Sequence, residues 1–105
     1  MDIEIINKII EEADKRAEKA LANYQETGNS RYYSTQVKNE ELAGALRVAI
    51  DAEKHISDSQ YYGAHIKIWD ARIRELDMMD DEQKNHETHR ILDEIKAVAL
   101  RAKGV

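Results

Sequence analysis

Apolar residues recur along nearly the whole chain at alternating three- and four-residue steps, the spacing of helices that each bury one face. Over residues 2–25 the stripe is Ile3, Ile6, Ile10, Ala13, Ala17, Ala20 and Tyr24, flanked by Ile5, Ile9 and Leu21. It is bulky early and small later, which suits a helix that packs on large side chains at one end and lies close to a neighbour at the other. Residues 37–56 form the most apolar run and the one richest in small residues. Leu42, Leu46, Ala49, Ile50 and Ile56 make its stripe, and Ala43, Gly44, Ala45 and Ala52 widen it. That breadth predicts a helix at the centre of the domain. A third stripe runs through Tyr62, Ile66, Trp69, Ile73 and Leu76, broadened by Tyr61, Ala64, Ile68 and Met79. A fourth runs through Thr88, Ile91, Leu92, Ile95, Val98, Ala99 and Ala102.

The residues between the stripes supply stop and start signals. Gly28 can adopt the left-handed conformation that ends a helix, and Asn29 or Ser30 can cap the next. The stretch 31–36 fits either the first turns of that helix or an extended lead-in capped by Ser34 or Thr35. Ser57 with Gln60 has capping-box spacing, with Ile56 and Tyr61 placed as a hydrophobic staple. No Gly or Pro enforces a break there, so a three-helix arrangement with one helix over about residues 36–78 is the competing architecture. Gly63 costs roughly 1 kcal/mol inside a helix and would be explained by a close neighbour. Asp80, Asp81 and Glu82 sit at the positive end of the last helix, and Arg101, Lys103 and Gly104 close it. Four segments of about 20–24 residues, each roughly 30–36 Å long, predict an all-α, up-down-up-down four-helix bundle formed by a single domain over residues 1–105.

Composition agrees with this pattern. Charged residues make up 35% of the chain, Pro, Phe and Cys are absent, and Gly occurs four times. The missing Cys removes disulfides, thiol nucleophiles and cysteine-ligated metals. Net charge is −5, and residues 1–26 carry seven anions against four cations, with no segment basic. Nucleic-acid binding through neutralised phosphates is therefore disfavoured. No apolar run approaches the ~20 residues of a membrane span, and Met1-Asp2-Ile3-Glu4 lacks the basic start of a secretion signal. The expectation is a cytoplasmic protein that does not contact membrane.

Little in the chain suggests chemistry. A carboxylate-bridged dimetal bundle needs Glu three residues before its His ligands, and the residues at that offset from His55, His65, His86 and His89 are Ala52, Tyr62, Gln83 and His86. A weaker metal candidate is Glu82 with His86 and His89, one helical turn apart but off the buried stripe. Ser30, Ser34, Ser57 and Ser59 lie at turns or caps, and no phosphate loop is present. No cofactor is implied, and enzymatic activity has no support. Four of the five tyrosines fall near helix ends, where a ring can be buried while its hydroxyl stays wet. Arg31, Tyr32 and Tyr33 together have the composition of a partner-binding patch.

The leading expectation is a non-enzymatic helical protein acting through protein–protein contacts, with homo-oligomer formation as the first form. Wide apolar faces beside the stripes motivate it. The alternatives are a bundle that binds a small ligand or metal through the His residues, and an acidic accessory protein that masks a basic surface on another protein.

Overall fold

The first, second and fourth helices each begin at a residue whose side chain satisfies an unpaired backbone N–H of the first turn. In the computed structural model, which describes residues 1–57 and 62–104, Asp2 accepts a hydrogen bond from the Ile5 N–H and starts α1 (Ile3–Thr27). Gly28, at φ 70°, ends it and donates its N–H to the Tyr24 carbonyl. The Asn29 side chain then accepts from the Arg31 N–H at 3.0 Å and opens α2 (Ser30–Ser57). Residues 31–36 are thus helical from the start. Neither Ser34 nor Thr35 is a cap, and the Thr35 hydroxyl instead donates back to the Arg31 carbonyl. After α3 (Gly63–Leu76), the turn through Asp77–Asp80 leads into α4 (Asp81–Ala102). That helix opens on a reciprocal capping box between Asp80 and Gln83. The box and staple expected at Ser57–Gln60 and Ile56–Tyr61 involve positions outside the described residues.

Among the described residues the chain forms four helices and no strand, and they alternate in direction as a bundle. Ion pairs fix the sense of α3. Asp2 pairs with Arg74 and Lys8 with Asp77, so α3 runs alongside α1 and back against α2. A single helix over residues 36–78 is therefore replaced by two antiparallel ones. At the start of α4, Asp81 meets Arg16; its end shares a hollow with Val48 and His55, so α4 descends beside α2.

The helix lengths are unequal, contrary to the even segments that the stripes suggest. α1 has 25 residues, α2 has 28, α3 has 14 and α4 has 22. α2 packs against every other helix, most extensively on α1 and α4, which makes it the central element the sequence predicts. The core combines Ile6, Ile9 and Ile10 of α1, Leu42, Leu46 and Ile56 of α2, Trp69, Ile73 and Leu76 of α3, and Ile91 and Ile95 of α4. Ile68, expected to broaden the α3 stripe, is instead 50% exposed. Close approach does not explain the helical glycines. A Cβ built on Gly44 or Gly63 would meet nothing within 4 Å.

Because α4 begins only at the level of Arg16 and Asn39, the last ten or so residues of α1 and the first two turns of α2 extend beyond it. They form a two-helix arm reaching about 15 Å past the bundle. The molecule measures 52 × 27 × 18 Å.

Candidate interaction surfaces

The arm carries the sequence-derived patch. Its two helices bury Ala17 and Ala20 along their seam, while Leu21, Tyr24 and Tyr33 stay exposed. Tyr24 and Tyr33 meet across the seam, with ring centroids 5.6 Å apart and planes tilted by 47°. The structure therefore places Tyr33 beside Tyr24 at the arm's end, with Arg31 exposed and Tyr32 half-buried next to it. Tyr24, read from its spacing as the last residue of the α1 stripe, lies beyond the reach of α3 and α4 and so remains at the surface.

Glu82, His86 and His89 come together on the outer side of α4. With Lys38 of α2 they line an open hollow of about 630 Å³. Among the described residues, no three His, Asp or Glu side chains are grouped to hold a metal ion. Lower on the molecule, also between α2 and α4, a second hollow of about 340 Å³ has Val48, Ala52, Ala99 and Leu100 as its apolar floor. Asp51 and His55 form its α2 lip, and Lys96 and Lys103 its α4 lip. Val48 is 45% and Leu100 53% exposed. Asp51 pairs with no cation, and Lys96 and Lys103 with no carboxylate, among the described residues; the same holds for Lys38 and Glu82 in the upper hollow.

Elsewhere the charges pair across helices. Arg47 reaches Asp14 at 2.7 Å, and Arg72 of α3 pairs with Glu94 of α4, which also accepts from the Trp69 indole at 3.2 Å. The Arg72 guanidinium, helped by that indole N–H and opposed by partial burial, holds the Glu94 carboxyl below its usual range. His65 stacks over Trp69 at 5.7 Å on the same side.

A polar layer inside the bundle escaped the sequence reading. Arg16, four residues after Glu12 on α1, donates from Nε to the buried Asn39 side chain at 2.9 Å and lies 3.2 Å from Asp81. Glu12 turns toward Lys84 at 3.9 Å, and the Lys84 side chain is only 7% exposed. One turn on, the buried Thr88 hydroxyl has no hydrogen-bond partner among the described residues. The signal was available for Lys84, which stands four residues before Thr88 and seven before Ile91 and therefore on the buried stripe. Asn39 likewise lies seven residues before Leu46. The layer ties the start of α4 to the base of the arm, so its role is to position elements.

Among the described residues, no helix is long and apolar enough to cross a membrane. Compared with known families, curated proteins and solved structures, the chain matches none of them.

Proposed function

We propose that this chain is a non-enzymatic helical module that works through protein–protein contacts, including contacts with copies of itself. The arm is the observation that carries the reading. Two helices that stand clear of the bundle and bury mainly alanines between them leave Leu21, Tyr24 and Tyr33 facing water. Large apolar and aromatic side chains on a projecting element lower their free energy when a partner covers them. Arg31, Tyr32 and Tyr33 supply residue types that concentrate binding energy at interfaces. The exposed Val48 and Leu100 support the same reading on a second face.

Light scattering on protein eluting from a sizing column, run from micromolar to sub-millimolar concentration, tests self-association. The expected result is a mass rising above the 12.1 kDa of one chain as concentration increases. A constant mass of one chain over the whole range removes self-association from the proposal.

A further inference from the structure

We infer that the outer face between α2 and α4 pairs with the same face of a second copy, about a two-fold axis running parallel to the helices. This rests on the self-association proposed above and gives it a location. Three observations lead to it: an exposed apolar centre, charges without partners among the described residues, and the way those charges are distributed.

The centre is the Val48 and Leu100 pair over the alanine floor. On α4 the residues of both hollows, from Glu82 through His89 to Lys96, Leu100 and Lys103, follow one another at three- or four-residue steps or their sums, so the two hollows belong to one continuous face. That face spans the full length of α4. At about 33 Å by the ~20 Å width of two packed helices it offers roughly 650 Å² per copy, at the lower end for a specific dimer.

The charges fit this geometry. At the upper level α2 carries the cation, Lys38, and α4 the anion, Glu82. Lower down the signs exchange, with Asp51 on α2 and Lys96 and Lys103 on α4. A two-fold axis along the groove sets each α2 against the α4 of the other copy at the same height. Lys38 then meets Glu82 of the second copy, and Asp51 meets its Lys96, and the symmetry makes every such pair twice. An antiparallel arrangement would instead stack α2 on α2 and α4 on α4, so that Asp51 would no longer face Lys96 of the other copy, and the mixing experiment below separates the two.

Two single charge reversals test the pairing. Asp51→Lys gives a chain whose two facing positions are both cationic, and Lys96→Asp gives one in which both are anionic. Each variant alone should elute as a monomer at concentrations where the unaltered protein is dimeric. An equimolar mixture should recover about twice the single-chain mass, because each copy then presents the sign the other lacks. Mixing cannot repair a defect within one chain, so recovery identifies a contact between copies. Leu100→Asp should also give a monomer, with helical circular dichroism unchanged because the position is at the surface. If the unaltered protein is a monomer throughout, self-association and its location both fall. If it dimerises but Leu100→Asp leaves the dimer intact, or the mixture stays monomeric, self-association stands and this face is not the site.

Discussion

Arg16 and Lys84 are charged side chains drawn into the same layer, yet the same apolar replacement should affect them in opposite ways. Arg16 satisfies the Asn39 carbonyl oxygen, and Asn39 is only 3% exposed. Arg16→Met would strand that buried acceptor and take the cation away from Asp81, a loss of about 1–2 kcal/mol. Lys84 loses hydration along nearly its whole length and receives in return only a distant carboxylate, Glu12, whose side chain is 40% exposed. Lys84→Met removes that desolvation cost while Glu12 stays hydrated, so stability should hold or rise. Urea midpoints followed by circular dichroism distinguish the two. A Lys84→Met protein as weakened as Arg16→Met would mean that the lysine contributes more than this geometry allows.

Among the elements, α2 and α3 differ in how much of their stability is local. α2 carries Gly44 in its interior with open space where a Cβ would go. Gly44→Ala should therefore raise stability by about 0.5–1 kcal/mol, read as a higher thermal midpoint. α3 has half as many residues as α2, and its buried anchors are Trp69, Ile73 and Leu76. The Arg72 and Trp69 bonds to Glu94 add a polar clasp onto α4. Because the Glu94 carboxyl is held below its unfolded value, the clasp contributes fully above the ordinary carboxylate range of about 4.3 and fades as pH falls through the depressed value. Glu94→Gln removes this contribution. The gap in urea midpoint between the two proteins, followed by Trp69 fluorescence, should be steady from neutral pH to about 5 and close under more acid conditions. A gap that persists unchanged in strong acid contradicts the assignment.

The whole molecule is elongated. Its Cα radius of gyration is 15.3 Å, against about 13 Å for a compact chain of this length. The arm accounts for the excess, and shape therefore separates the two surfaces. Copies paired side by side along the α2 and α4 face keep a longest dimension near the 52 Å of the single chain. Copies joined tip to tip through Tyr24 and Tyr33 would approach twice that length. Small-angle scattering from the dimer should give the shorter value, and the longer one would move self-association to the arm.

Much of the fold was legible because it is local. Stripe spacing located the four helices and nearly all of their buried positions, Gly28 marked the first turn, and Asp80, Asp81 and Glu82 marked the start of the last helix, since helix-end signals and periodicity depend on residues only a few positions apart. The arginine–tyrosine patch at 31–33 and the histidine pair with Glu82 on α4 were visible for the same reason. Helix packing decided the rest. How far α4 reaches along α2 determines that Tyr24 and Leu21 stay wet while Lys84 and Asn39 are buried, and that Arg16 leaves its helical neighbour Glu12 for Asn39 and Asp81. The face joining Lys38, Asp51, Glu82 and Lys96 exists only once α2 and α4 lie side by side. Periodicity in a sequence specifies which side of a helix avoids water; which partner covers it, and over what length, depends on contacts between residues far apart in the chain.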